Sequence, residues 1–154
     1  MTVNKENFIT EKNIVIGLDA ISQRDAIFKL SKILEKDGTI TNSNVFAKDV
    51  LKRESLATTG IGNGIAIPHG KSEAVRDASM IFAKVLKPLE WNSLDGSKVD
   101  VIFLMAVRPQ GGDKEHLKML ANLSGRLMDD DFLNFIKKEN DPKKLVSSFN
   151  KEEV

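Results

Sequence analysis

A chain of 154 residues, 41% hydrophobic and 29% charged, is long enough to bury a sizeable core and has the balance of an ordinary soluble globular domain. It contains no cysteine, which excludes disulfide scaffolds, cysteine-based zinc sites and thiol nucleophiles. A formal net charge of +1, 6% aromatics and no tyrosine supply neither the basic excess nor the stacking surface of a nucleic-acid binder.

The longest apolar run, Val99 to Val107, is interrupted by Asp100 and is far shorter than the roughly 20 residues that span a bilayer. The opening residues, MTVNKENFITEKN, lack the apolar core of a signal peptide. Both features predict a soluble, cytoplasmic protein with no direct membrane insertion.

Ile14 to Leu18 (IVIGL) reads as a strand. Ser22 then serves as a helix cap with Asp25 three residues on. Ala26, Ile27, Leu30, Ile33 and Leu34 recur at helical spacing, and Gly38 supplies the stop. A second helix is expected from about Asn44 to Arg53, with Val45, Phe46 and Val50 inward. Between Thr58 and Gly70 the glycines at 60, 62 and 64 alternate with Ile61 and Ile65, and the segment ends in Ile67-Pro68-His69-Gly70. Ser79 to Val85 and Val99 to Val107 read as strands, the second nearly all apolar and so central in a sheet. After the loop Arg108 to Asp113, a helix from about Glu115 to Met128 carries Leu117, Leu120, Ala121 and Leu127. Two short helices follow, the last opening at Asp141-Pro142. Helices on both sides of the strands in sequence predict a layered α/β domain.

The chain has two histidines, His69 and His116, each beside glycine-rich punctuation instead of within an apolar stripe. Loops on a rigid scaffold are where reactive groups tend to be placed. Pro68 fixes the backbone before His69, and Gly70 leaves room for another molecule to approach the ring. Other chemistries find less support. The glycines do not keep G-x-G-x-x-G spacing, and neither a G-x-x-x-x-G-K-[ST] segment nor a G-x-S-x-G elbow is present. Two distant histidines do not specify a metal site. From the residues alone, a pair of inert surface histidines stays open.

Arg53 to Gly70, RESLATTGIGNGIAIPHG, resembles the active-site region of enzyme IIA domains of the fructose–mannitol class, part of the phosphoenolpyruvate-dependent sugar phosphotransferase system. Pro88-Leu89-Glu90-Trp91, Leu94-Asp95-Gly96 and Val101 to Val107 look like the next landmarks of that class. Gly111-Gly112-Asp113, His116-Leu117 and Leu120-Ala121-Asn122-Leu123 resemble its second histidine region. The resemblance implies a single three-layer α/β/α domain with a mixed β-sheet over residues 1–154, with its core at about 10–148.

It also implies a phosphocarrier with His69 phosphorylated on Nε2. Arg53 and His116 would stabilise the phosphoryl group, and Thr59 would offer a hydroxyl contact. The glycines of 59–64 would either present backbone N–H groups to the phosphoryl oxygens or let a partner approach. Glu54 reads as a surface charge or ion-pair partner, and Trp91 as a packing residue. Nδ1 of His69 needs an acceptor to fix the tautomer, which the sequence does not name. Such a relay requires no cofactor and no metal. The implied donor is phospho-HPr and the acceptor a cysteine on a separate enzyme IIB, with a membrane enzyme IIC served indirectly. Gly111 to Leu117 resembles the fructose branch more than the mannitol branch. Nitrogen-type regulatory IIA proteins, which signal by their phosphorylation state, resemble the chain as well.

Overall fold

The strand that organises the molecule is Val99–Val107 (β6), whose only polar residue is Asp100. So apolar a segment must be covered on both faces, and it lies at the centre of a six-stranded mixed sheet. The structure, a computed structural model, describes residues 9–150. On one side of β6 runs Ser79–Leu89 (β5), antiparallel, with Ile14–Leu18 (β1) parallel to β5 beyond it. On the other side two short strands, Ile65–Ala66 (β3) and His69–Lys71 (β4), both pair with β6 in parallel. They share one edge end to end, Ile65 opposite Val101 and His69 opposite Met105. Gly60–Gly62 (β2) closes that side, antiparallel to β3. The β2–β3 hairpin turns on Asn63 and Gly64, with φ of 57° and 78°, the positive pair that a two-residue hairpin demands and Asn-Gly supplies.

Helices cover both faces of the sheet. Gln23–Asp37 (α1) and Ser43–Glu54 (α2) pack against Ile102, Leu104 and Ala106 of β6. Gly112–Leu127 (α3), Asp130–Lys138 (α4) and Pro142–Phe149 (α5) pack against Val101, Phe103 and Met105. Alternation along one strand therefore feeds two separate cores. Lys84 of β5 ties the second layer down, its ammonium donating to the carbonyls of Lys137 and Glu139 and to Asn140 Oδ1 at 2.7, 3.0 and 2.9 Å. Ser22 caps α1 by accepting from the Asp25 N–H, and Gly38 ends it at a φ of 84°, both as expected.

Four expectations change. Val45 is 44% exposed, because Phe46, Ala47 and Val50 already fill the inward arc of α2. Leu117 is 63% exposed and Ala121 also faces solvent; α3 buries Met119, Leu123 and Leu127 instead, and begins earlier, at Gly112. β5 continues beyond Val85 to Leu89. Pro68-His69-Gly70, read as a loop from its punctuation, enters a strand, since the free edge of β6 offers a partner that local sequence does not reveal.

Gly70 is the contact between that strand and α2. A Cβ there would lie 2.6 Å from Val50 Cγ2 and 3.2 Å from the Val50 backbone nitrogen. The open space inferred at Gly70 is thus filled by the protein's own helix, and the same contact brings the end of α2 towards His69. Gly70→Ala is expected to force α2 away and to cost about 1–3 kcal/mol by overpacking, measurable as a lowered urea midpoint with an unchanged m-value. An unshifted midpoint would show that α2 can move at no cost.

Candidate functional site

His69 opens β4 and is half-buried. Its Nδ1 lies 3.1 Å from the carbonyl oxygen of Ile67, two residues back across Pro68. A carbonyl only accepts, so Nδ1 must be the protonated nitrogen and Nε2 carries the lone pair. The acceptor that the sequence could not name is therefore a backbone group. His116 stands in the first turns of α3, with ring centroids 4.7 Å apart and planes inclined by 38°. Its Nε2 is buried and finds no hydrogen-bond partner among the described residues.

Both imidazoles are held below the ordinary histidine pKa of 6.5. For His69 burial is the main cause; the bond to Ile67 opposes it, the Arg53 charge adds to it and Glu54 opposes it. For His116 burial again leads, followed by His69, with Asp113 opposing and Arg53 adding. Arg53, in the last turn of α2, donates from Nη1 to the Ala57 carbonyl at 3.0 Å, and its charge reaches both rings. The structure thus brings His69, His116 and Arg53 to one place from a strand and two helices.

Thr59 differs from expectation. It is 4% exposed, and its hydroxyl donates to Glu54 Oε1 at 2.6 Å while accepting from Trp91 Nε1 at 3.3 Å. That hydroxyl is committed inward and builds the wall of the site. Glu54, read as a surface charge or ion-pair partner, is a hydrogen-bond acceptor for three donors: Thr59 N–H at 2.7 Å, the Thr59 hydroxyl, and Trp91 Nε1 at 3.2 Å. Trp91 is 3% exposed and so packs as expected, while also using its indole N–H.

Several N–H groups of the glycine run are already engaged within the protein. Gly60 N–H donates to Thr58 Oγ1, Asn63 N–H to Asp95 and Gly64 N–H to Ser97 Oγ. Arg108 and Glu115 were missed in the sequence. They form a two-bond pair, Nε to Oε1 and Nη2 to Oε2 at 2.9 Å each, which clamps the end of β6 to the first turn of α3 and fixes where His116 stands. Opposite charges bracketing the Gly111-Gly112 turn were the available hint. Among the described residues no group of three or more His, Cys, Asp or Glu is placed to hold a metal, and no helix is long and apolar enough to cross a membrane.

The arrangement sets an imidazole with a free Nε2 lone pair at a sheet edge, beside a cationic side chain and a second imidazole. Its fold matches the nitrogen regulatory protein IIA from Neisseria meningitidis with a TM-score of 0.85 at 23% identity, covering 94% of this chain and 98% of that one. Residues 7–152 match the family described as phosphoenolpyruvate-dependent sugar phosphotransferase system, EIIA 2, and the chain belongs to that family. Members of this class are phosphotransferase components that pass phosphoryl groups on. One relative is the 2-O-alpha-mannosyl-D-glycerate-specific EIIABC component of Escherichia coli, 36% identical over 128 residues. These are 82% of this chain and 20% of that relative, so the chain spans about a fifth of its length. Another is a nitrogen regulatory protein of Bradyrhizobium diazoefficiens, 32% identical over 142 residues, 92% of this chain and 91% of that one.

The sign of the histidine shifts gives a pH dependence. A lowered folded pKa means that the folded state binds fewer protons than the unfolded chain, so stability from these rings is complete above about pH 6.5 and declines as pH falls through their folded values. Nitrogen-detected NMR titration is expected to place both midpoints below 6.5, with denaturant stability falling in the same window. A midpoint above 6.5 for either ring would contradict the burial of the pair.

Proposed function

We propose that this chain carries a phosphoryl group on His69 Nε2, accepting it from phospho-HPr and delivering it to a cysteine of an enzyme IIB, for sugar uptake of the fructose type. The observation that carries the reading is the Nδ1–H bond to Ile67, which leaves Nε2 as an uncharged nucleophile beside Arg53 and His116. In the transfer the donor's N–P bond breaks as the Nε2–P bond forms, and no proton has to leave the nucleophile. The ring then gains positive character, which the Ile67 carbonyl stabilises through Nδ1–H. Transfer of this kind depends on positioning and on spreading charge over the phosphoryl oxygens. The Arg53 guanidinium supplies a cationic fork, and the unpartnered His116 Nε2 supplies a donor when its hydrogen resides there.

The chain has no cysteine, so the acceptor thiol lies outside these 154 residues, and membrane IIC is served only through it. The reading includes a cytoplasmic location, one such domain over residues 1–154, and no metal or organic cofactor. The fructose branch is favoured by the Gly111 to Leu117 residues. A regulatory role, in which the phosphorylation state itself is the message, is favoured by the near end-to-end match to the Bradyrhizobium nitrogen regulatory protein. Thr59 takes a positioning part here, because its hydroxyl is occupied.

Incubation with phosphoenolpyruvate, enzyme I and HPr, followed by mass spectrometry under non-acidic conditions, is expected to find the label on His69. His69→Ala should abolish it with the near-ultraviolet spectrum intact. Arg53→Ala should slow acceptance by about tenfold or more, as for loss of one charge-stabilising donor. An unlabelled His69 beside fully phosphorylated HPr would reject the reading, and uptake dependent on His69 would separate transport from regulation.

A further inference from the structure

We infer that Glu54 is a positioning residue for His69, the anchor of an unbroken hydrogen-bond chain that ends on the histidine's Nδ1. The first link is the Thr59 N–H donating to Glu54 Oε2 at 2.7 Å. The second is the Ile67 N–H donating to the Thr59 carbonyl at 3.1 Å. The third is His69 Nδ1–H donating to the Ile67 carbonyl at 3.1 Å. Two further donors, the Thr59 hydroxyl and the Trp91 indole, hold the same carboxylate in place.

Ile67 lies in the gap between β3 and β4, outside the ladder with β6. Pro68, next in the chain, has no N–H to contribute, while its carbonyl accepts from the Met105 N–H of β6 at 3.0 Å. The Ile67 carbonyl is therefore held between that tie to β6 and its residue's own link to Thr59, and the place of Thr59 depends on Glu54. Bonds to a carboxylate are about twice as strong as neutral ones, and here one carboxylate accepts from Thr59, at the start of the hairpin, and from Trp91, beyond the end of β5. An imidazole that loses a fixed acceptor at Nδ1 populates both tautomers, and the Nε2–H form has no lone pair to receive phosphorus. Glu54 thus acts on the fraction of His69 that can react, without touching the reacting atoms. The consequence for transfer rests on the phosphocarrier reading, whereas the effect on the tautomer does not.

The test compares Glu54→Ala, Glu54→Asp and Glu54→Gln with the parent protein, all unphosphorylated. Nitrogen-15 NMR near pH 8 reports the His69 tautomer, and the indole N–H of the only tryptophan, Trp91, reports whether its bond to position 54 is broken. The parent is expected to show one tautomer, protonated at Nδ1. Glu54→Ala, and the gentler Glu54→Asp, which retracts the carboxylate by one methylene, should shift the indole resonance and raise the Nε2–H tautomer. Glu54→Gln keeps an acceptor oxygen and should restore the single tautomer. With phosphoramidate as donor, Glu54→Ala and Glu54→Asp should lower the saturated phosphorylation rate by about tenfold, with half-saturation nearly unchanged. A folded Glu54→Asp or Glu54→Ala with a shifted indole signal and the parent's single His69 tautomer would overturn the inference and leave Glu54 as a structural tie. Failure of the parent to accept phosphorus at all, with the tautomer changes as expected, would reject the carrier role and keep the positioning role.

Discussion

Everything in this molecule is arranged around the need to cover β6 on both faces. Its residues alternate between two cores, Ile102, Leu104 and Ala106 towards α1 and α2, and Val101, Phe103 and Met105 towards α3 to α5. Once that layer is set, one edge of β6 is left to two short parallel strands, and the gap between them is where Ile67 and Pro68 lie. His69 pairs with Met105, near the carboxyl end of β6, and α3 starts soon after β6 stops. Ligand-handling groups in open α/β sheets collect outside the carboxyl ends of strands. The two histidines meet there because one opens a strand and the other stands in the first turns of a helix at the same end of the sheet.

The electrostatics of this place favour uncharged imidazoles. A protonated imidazole has no lone pair at Nε2, and here His69 is biased towards its neutral form by burial and by the neighbouring Arg53 cation. Burial and Arg53 act in the same direction on both rings, and each ring in its neutral state avoids like-charge repulsion with the other. Glu54 opposes these effects on His69, yet its carboxylate is already engaged by three donors of its own wall. The geometry therefore separates two tasks between neighbouring residues. Arg53 faces the imidazoles as charge, and Glu54 faces the interior as structure.

Much of this was legible in the sequence. β1, α1 with its Ser22 cap and Gly38 stop, the central β6 and the Asp141-Pro142 opening of α5 follow from periodicity and local turn chemistry. The grouping of His69, His116 and Arg53 follows from the resemblance of Arg53 to Gly70 together with that of the second histidine region, Gly111 to Leu123. What was not legible depends on tertiary partners. The strand at His69 exists because β6 has a free edge, and the room at Gly70 is taken by Val50. Thr59 offers a hydroxyl by residue type, but burial turns it to Glu54. Leu117 and Val45 are apolar yet exposed, since a helix of this size presents one face to its layer and the neighbouring positions had already filled it.

The same segment explains why the site tolerates so little freedom. Between Glu54 and Gly70 the backbone makes one hairpin, and the two ends of that hairpin are tied by the Ile67 N–H to Thr59 carbonyl bond. At one end the chain is fastened to α2 through Glu54; at the other, β4 is pressed onto α2 through Gly70. A displacement of α2 therefore moves Arg53, and through Glu54 and Thr59 it also moves the carbonyl that orients His69. Cation, tautomer and strand position are three readings of one packing contact. A substitution that disturbs any of them acts on all three, and the effects of changes at positions 53, 54, 59 and 70 are expected to be non-additive for that reason.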